Sequence, residues 1–418
     1  MSKLTRSALL ADLAEETFAS QVSGSLAPRR LGAEAEFIPV ESLTGHRCPI
    51  EAEGVTSTLP FLRRFGEKQG WEEGRTPKGT PCFNLPLGGT LTFEPGGQLE
   101  YSSPPCRSAS VLLQLLRSVV PSLRAAASAE GIELLALGID PLNSIDRAPL
   151  LIDAKRYRRM AEYLAQRGPA GALMMRQTAA FQVSLDFDDE PWLRWRVLNA
   201  AAPYITAIFA NSPIYAGEAT GYQSARAEVW RRVDPARTGI PYDEQRPVEA
   251  YLEFALNAPA ILFSPGDGEH RPFGDWLTLA DPTLDEWRDH LSTLFPEVRP
   301  RGHLELRSAD SIDPQWYAAP LALTCGLLYD SRTLRAADDL LGPPDAGLLQ
   351  RAGRHGLHDP ATGRTASDLF ELALAGCRRL GSGYFHPSDL EEAISFFDRY
   401  TRWGRAPADE VIESAIAA

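Results

Sequence analysis

The chain has 418 residues, of which 44% are hydrophobic and 23% are charged, a composition typical of a folded globular protein. Its formal net charge of −13 argues against a nucleic-acid partner and against an anionic membrane surface. Five widely spaced cysteines without a C-x-x-C pair argue against a disulfide framework and a zinc site, and they indicate reduced thiols in a cytoplasmic protein.

No Gly/Ser-rich linker, low-complexity tract or charge block divides the sequence. We therefore predict a single catalytic domain over residues 1–418, with a sheet-bearing core in 1–315 and a mainly helical portion in 316–418. The N-terminal segment lacks the apolar core of a signal peptide, and the longest apolar runs are too short to span a bilayer. These features predict a cytoplasmic protein that acts without a membrane.

Along the chain, the predicted elements are helices interspersed with short strands. Hydrophobic periodicity predicts helices over residues 5–22, 55–75, 108–130, 191–211, 248–256 and 284–295, and a basic helix that opens at Asp153. Alternating apolar residues predict strands over residues 30–40, 131–138, 174–187 and 302–307. From residue 316 onward the pattern is almost entirely helical.

A hairpin is predicted over residues 92–103, where the turn combines Pro95, Gly96 and Gly97. Proline presets the turn and glycine permits a positive φ. Glu94 and Glu100 stand on either side of this bare backbone, which suits a metal–phosphate ligand that approaches Gly96 and Gly97 closely. An ordinary exposed hairpin is the alternative.

Four strand-like stretches divide into one apolar and one polar face. In the strand over residues 30–40, a period of two places Glu34 and Glu36 on the face that Ala33 and Ala35 leave free. The polar faces of the other stretches carry Glu94 and Glu100, then Gln182 and Asp186, then His303, Glu305 and Arg307. A solvated surface explains any one of these faces. Carboxylates that line a shared cavity instead need cations to offset their repulsion.

This set of side chains indicates a hard metal ion and a phosphate substrate. Glutamate oxygens, with little histidine and no cysteine, select Mg²⁺ or Mn²⁺ over zinc. The sequence contains no Walker A, G-x-G-x-x-G, G-x-S-x-G or kinase motif. ATP would therefore be held as co-substrate by metals and the sheet. Arginines on the same rim would stabilise a transferring phosphoryl group or clamp a carboxylate.

The same residues carry a family resemblance. The run FEPGGQLEYSSPP resembles the E-P-G-G-Q-x-E-L-S signature of the plant-type and actinobacterial glutamate–cysteine ligases. LGAEAEF, MMRQTAAFQVSLDF, FANSP and RPRGHLELRSAD resemble four further motifs of that family, in the same order and with similar spacing. The similarity covers roughly residues 5–400, and five motifs in order are far more specific than any one alone.

The resemblance implies an α+β, glutamine-synthetase-like fold, in which a curved, mainly antiparallel sheet forms a funnel-shaped active site surrounded by helices. It also implies a reaction in which ATP phosphorylates the γ-carboxylate of glutamate. The amine of cysteine then attacks the acyl phosphate and gives γ-glutamylcysteine. The partners would be these small molecules, with no nucleic acid and no membrane, and the protein would be a monomer or a weak homodimer.

Roles are implied residue by residue. Two or three Mg²⁺ ions, or Mn²⁺, would be held by five glutamates: Glu34, Glu36, Glu94, Glu100 and Glu305. Gln182 would sit among them, and Arg307 would meet the transferred phosphoryl group. Arg226 and Arg156 would hold the carboxylates of glutamate, with Trp230 packing nearby.

Some features depart from the family or leave alternatives open. Ala179 stands where the plant-type strand has cysteine, so redox control of that type is doubtful. PRGHLELR looks nearer to the ergothioneine-pathway enzymes, whereas the loop before Arg156 looks nearer to the plant type. The thiol pathway, glutathione or ergothioneine, therefore stays open. A carboxylate–amine ligase with a different amine or acid is an alternative, and so is a non-catalytic nucleotide- or amino-acid-binding relative.

Overall fold

A computed structural model describes residues 4–18, 29–77, 79–263 and 270–417. Its strands are β1 (Leu31–Glu41), β2 (Glu72–Arg75), β3 (Pro81–Asn84), β4 (Thr90–Phe93), β5 (Leu99–Ser102), β6 (Ile132–Leu135), β7 (Phe181–Leu185), β8 (Ile214–Tyr215), β9 (Glu218–Ala219), β10 (Val298–Pro300) and β11 (Leu304–Leu306). Within the described residues, nine strands form one sheet in the order β10-β11-β7-β1-β5-β4-β3-β2, with β6 paired to β1.

Every pairing within the main sheet is antiparallel, as predicted. The long strand β1 lies at its centre. Its first half pairs with β7 on one side and β5 on the other, and its second half pairs with β6. Its odd-numbered side chains Ala33, Ala35 and Phe37 are buried in the core. The polar side chains between them therefore point to the other face.

Helices account for most of the remaining described chain: α1 (Arg6–Asp12), α2 (Thr58–Gln69), α3 (Ala109–Ala129), α4 (Lys155–Ala165), α5 (Ala170–Gln177), α6 (Pro191–Ile208), α7 (Ala225–Val233), α8 (Pro235–Thr238), α9 (Pro247–Asn257), α10 (Phe273–Leu279), α11 (Leu284–Leu291), α12 (Ala318–Tyr329), α13 (Ser331–Leu341), α14 (Ala346–His355), α15 (Pro360–Leu380), α16 (Pro387–Arg399) and α17 (Pro407–Ala417). Helices α12 to α17 all follow residue 316, where the sequence pattern is almost entirely helical. No helix in the described part of the chain has the length and apolar character that a membrane span needs.

Three predicted elements differ in extent. The helix predicted over 55–75 ends at Gly70, which adopts the left-handed conformation (φ 70°), and the chain continues as β2. The strand predicted over 174–187 begins as helix α5, and only Phe181–Leu185 is extended. The helix predicted over 5–22 becomes a π-helical turn over Leu13–Thr17, and its last four residues lie outside the described ranges.

The predicted helix start at Asp153 is also shifted. Ala154 occupies the N-cap position of α4 without a side-chain hydrogen bond, and Asp153 instead accepts from Arg158. Local charge pairing within the first turn has replaced the expected cap.

Candidate functional site

A cavity of about 830 Å³ lies over the polar face of the sheet. The predicted residues Glu34, Glu36, Glu94, Glu100, Gln182, Arg156, Trp230 and Arg307 all line it. They come from β1, the β4–β5 hairpin, β7, the start of α4, α7 and the end of β11. The sheet and its flanking helices thus bring into one place groups that are more than 200 residues apart in sequence.

The carboxylates with raised pKa values, Glu34, Glu36 and Glu100, come from β1 and β5. Glu36 and Glu100 are direct cross-strand neighbours, and Glu34 lies two residues further along β1. Burial, together with Glu100 and Glu305, raises the pKa of Glu34 to about 8. Burial, together with Glu94 and Glu36, raises the pKa of Glu100 to about 8. This cluster therefore favours a bound cation or protons at neutral pH.

Glu36 is the most buried member of the cluster. It accepts hydrogen bonds from the Ala180 backbone N–H and from Gln182 Nε2, both at 2.8 Å. Burial nevertheless raises its pKa, although Arg226 and these hydrogen bonds oppose the shift. Gln182 thus holds Glu36 in position and, through its other atom, accepts from Arg307 Nη1 at 2.8 Å.

Glu305 lies behind the cavity wall and is fully buried. Its oxygens accept from Arg299 at 2.7 and 3.1 Å, from Arg301 at 2.8 Å and from Arg307 at 2.9 Å. Burial raises the pKa of Glu305, but these guanidinium groups outweigh that effect and hold it well below its usual range. The charge of Glu305 is thus already compensated by three guanidinium groups, and its assignment as a Mg²⁺ ligand stays a prediction.

Arg226 also differs from the expectation. It is predicted to hold a substrate carboxylate, but its guanidinium is buried outside the cavity lining, donates to the Arg307 carbonyl at 2.8 Å and lies 3.8 Å from Asp310. Burial lowers its pKa, and Asp310 and Glu36 oppose that shift. In this structure it backs the wall that carries Arg307.

Trp230 and Arg156 lie in the cavity lining, as expected. The Trp230 ring faces Arg307, whose guanidinium carbon is 5.0 Å from the ring centroid. Its indole N–H is buried and has no acceptor among the described residues. Arg156 donates to the side chain and the carbonyl of Ser292, both at 2.7 Å.

Gly96 and Gly97 do not line this cavity, contrary to the prediction of a phosphate contact. A Cβ on Gly96 would stand 2.3 Å from the Arg176 carbonyl oxygen. The absence of a side chain at Gly96 therefore lets the backbone of Arg176 pack closely against it. Its N–H donates to Gln98 Oε1 and its carbonyl accepts from Arg47. Gly97 has a φ of 82°, which the tight turn requires.

The carboxylate cluster fits Mg²⁺ as a donor set, although it is not a preformed cage. No group of three His, Cys, Asp or Glu side chains within the described ranges is placed to hold one ion. Mg²⁺ usually takes one or two carboxylates and completes its shell with water and substrate phosphates. Uncompensated oxygens at Glu34, Glu36 and Glu100 suit that mode of binding.

Two functional candidates were not predicted from the sequence, Arg299 and Arg301. Arg299 lies directly across from Glu305 in the β10–β11 pair, and Arg301 lies in the turn between those strands. Strand alternation in the run RPRGHLELR is the signal that reveals them, once β10 is recognised as a strand.

A second cavity, of about 400 Å³, adjoins the first. Both are lined by Glu34 and Arg301, so they meet at these side chains. Its other lining includes the small residues Gly32, Ser102 and Ser184. The site is therefore a pair of cavities joined where a carboxylate and a guanidinium meet.

Comparison with known proteins shows to which family the chain belongs. The model of glutamate–cysteine ligase family 2 matches residues 30–415. Glutamate–cysteine ligase EgtA of Mycolicibacterium smegmatis is 35% identical over 352 residues, covering 80% of this chain and 79% of the relative. The chloroplastic glutamate–cysteine ligase of Nicotiana tabacum is 30% identical over 409 residues, covering 92% and 76%.

One solved structure supports the fold. The glutamate–cysteine ligase of Francisella tularensis, determined in complex with AMP, matches with a TM-score of 0.54 at 14% identity. The match covers 92% of this chain and 84% of that one. At this identity the likeness shows the fold alone, and it confirms the predicted α+β architecture.

Proposed function

Because the chain belongs to glutamate–cysteine ligase family 2, we propose that it joins the γ-carboxylate of L-glutamate to the amine of L-cysteine at the expense of ATP. A glutamate carboxylate oxygen attacks the γ-phosphorus of ATP, which releases ADP and forms γ-glutamyl phosphate. The cysteine amine then attacks the acyl carbon, phosphate leaves, and the amine gives up a proton to yield γ-glutamylcysteine.

The observation that carries this proposal is the pairing of opposite charges around one cavity. Glu34, Glu36 and Glu100 present carboxylates whose pKa values are raised by burial. Arg307 lies beside them, held by Gln182 and Glu305. Phosphoryl transfer needs both, since cations must offset the phosphate charge and a fixed guanidinium must meet the oxygens that gain charge.

Glu34, Glu36, Glu94 and Glu100 would hold two or three Mg²⁺ ions, or Mn²⁺. Bound there, the metal would neutralise phosphate charge and act as a Lewis acid. Glu305 would position Arg299, Arg301 and Arg307 for the phosphates, since each already donates to it. The sequence-based prediction that Glu305 itself joins the metal shell would require these arginines to turn away from it.

We place the two amino acids in the larger cavity and the nucleotide in the smaller one. Arg156 and the Trp230 indole N–H would meet carboxylate oxygens of glutamate. The small lining residues of the second cavity would admit a nucleotide whose phosphates reach the junction at Glu34 and Arg301. This arrangement brings the γ-phosphate to the uncompensated carboxylates and to Arg307.

Phosphate release tests the proposal directly. We expect Mg²⁺-dependent phosphate release from ATP with L-glutamate, accelerated by L-cysteine, and a product with the mass of γ-glutamylcysteine. Turnover with other amines alone would assign the chain to a carboxylate–amine ligase of different specificity. No turnover with any acid–amine pair would indicate a non-catalytic relative.

Five further predictions from the sequence accompany this function. The product would enter a glutathione or ergothioneine pathway. We expect the protein in the cytoplasm, as a monomer or a weak homodimer, with small molecules rather than nucleic acid or membrane as partners. We also expect a single catalytic domain. Its support is a continuous hydrophobic core that joins residues from Leu9 to Tyr400.

A further inference from the structure

One wall of the larger cavity is built by the N-terminal segment, where α1 runs into the π-helical turn Leu13–Thr17. Asp12, Glu16 and Thr17 from this segment line the cavity. π-helical turns are rare and are frequent at functional sites. The mechanism proposed above uses none of these residues.

The segment is a fixed part of the wall. Leu9, Leu13 and Phe18 are fully buried, and the Phe18 ring lies 5.3 to 5.4 Å from the rings of Trp192, Trp195 and Tyr251. The Thr17 carbonyl also accepts from the Gly302 N–H at 2.7 Å, in the turn between β10 and β11. The acidic side chains are therefore held at a defined place in the cavity.

Asp12 has one oxygen in use and one without a partner. The side chain is 6% exposed, and Oδ1 accepts from Arg288 Nη2 at 2.7 Å and Nε at 3.1 Å. Oδ2 is buried and has no hydrogen-bond donor among the residues that the structure describes. A buried carboxylate oxygen without a donor is unfavourable, and Asp12 lines the cavity, so a ligand bound there can supply the missing donor.

The surrounding charge selects the kind of ligand. Glu16 also lines the cavity and, like Asp12, lies close enough to Arg288 to raise the pKa of that guanidinium. Because Arg288 is already paired with Asp12, two neighbouring carboxylates favour a cationic group here over a phosphate or a carboxylate. A metal ion would need several oxygens, but Arg288 holds one oxygen of Asp12. An ammonium group supplies both a positive charge and N–H donors, and each amino-acid substrate carries one.

We propose that Asp12 Oδ2, assisted by Glu16, binds the ammonium group of an amino-acid substrate. This inference rests on the proposed function, because that function supplies the two sources of the group: the α-ammonium of glutamate and the amine of cysteine. Asp12 would thereby fix the orientation of that amino acid within the larger cavity.

The test is the variant Asp12→Asn in the full chain, which preserves the shape of the side chain and an oxygen for Arg288. The KM for each amino acid and for ATP is measured by phosphate release, and binding of each amino acid without ATP is measured by calorimetry. We expect a rise of about 10- to 100-fold in the KM and Kd of one amino acid, the effect of losing one hydrogen bond to a charged group. The ATP KM should change by less than about twofold, because the nucleotide has no ammonium group.

The two arms separate the sources, since a rise confined to glutamate or to cysteine identifies the ammonium that Asp12 holds. Glu16→Gln should change the same KM in the same direction by a smaller factor. Glu15→Gln is the matched control, because Glu15 lies on the same π-helical turn but is exposed outside the cavity lining. Thermal unfolding of each variant checks that the wall is intact.

Unchanged amino-acid KM and Kd values in a folded Asp12→Asn protein would overturn the inference, and so would an effect on ATP alone. If the unaltered enzyme shows no turnover, the proposed function fails. Calorimetry still decides the role of Asp12 in that case, because it measures amino-acid binding without catalysis.

Discussion

Two groups of carboxylates on the same sheet have opposite electrostatic environments. Glu305 is buried among Arg299, Arg301 and Arg307, which keep its pKa well below the usual range. Among the described residues, no arginine or lysine forms an ion pair with Glu34 or Glu100, and their pKa values rise to about 8. The difference teaches that the protein neutralises one side of the cavity itself and leaves the other for cations that arrive with the substrate.

The largest expected effect is on activity. Glu36→Gln should lower Mg²⁺-dependent ATP turnover by about two to three orders of magnitude, because it removes a carboxylate that would hold the Mg²⁺ that offsets charge in the transition state. Glu41→Gln is the matched control, since Glu41 ends the same strand and lies outside the cavity lining. Steady-state phosphate release measures both. Retention of full Mg²⁺-dependent activity in Glu36→Gln would remove Glu36 from the metal site.

The second effect concerns the free energy of unfolding, which should respond differently to a change at Glu305 and a change at Glu34. Glu305→Gln leaves Arg299 and its neighbours without their counter-charge and should reduce the free energy of unfolding by about 3 to 5 kcal/mol. Glu34→Gln should leave the metal-free protein equally stable or make it more stable, because it relieves repulsion with Glu100. Urea unfolding without metal gives both values. Equal destabilisation by the two variants would contradict the comparison.

The third effect is pH dependence. The pKa values of Glu34 and Glu100 are near 4.5 in the unfolded chain and about 8 in the folded one, so the folded protein binds more protons between these values. Stability of the metal-free protein should therefore fall as pH rises from 6 to 8, by about 1 to 3 kcal/mol. Unfolding measured across this range tests it, and the double variant Glu34→Gln/Glu100→Gln should flatten the curve. A rise in stability over the same range would refute the assignment.

The smallest effect concerns Arg226, which opposes the raised pKa of Glu36 from behind the wall. The sequence predicts that Arg226→Ala raises the KM for glutamate far more than that for ATP. The position of Arg226 behind the wall predicts instead similar rises in both KM values, of at most about tenfold, because it acts through Arg307. Arg156→Ala, which alters a group in the cavity lining, is the comparison. Equal changes in both KM values would limit Arg226 to supporting Arg307.

Much of the polar face could be predicted because strand alternation is local. A period of two places Glu34 and Glu36 on the same face of β1. The same rule places Gln182 on the polar face of β7, where it lies opposite Glu34. The partners of Glu305 could not be predicted in this way, because the bond to Arg299 depends on how β10 registers against β11. The predicted phosphate contact at Gly96 differs from the structure for a related reason. The group that packs against Gly96 is the backbone of Arg176, which is distant in sequence.

Strand β1 carries Glu34 and Glu36, and it is hydrogen-bonded on both sides along its first half. Backbone amides in such a strand exchange with solvent only when the whole domain opens, whereas loops exchange by local fluctuation. We therefore expect the backbone amides beside these two carboxylates to be among the slowest to exchange. The mutual repulsion of the carboxylates cannot be relieved by a local shift, so it remains available as binding energy for a cation.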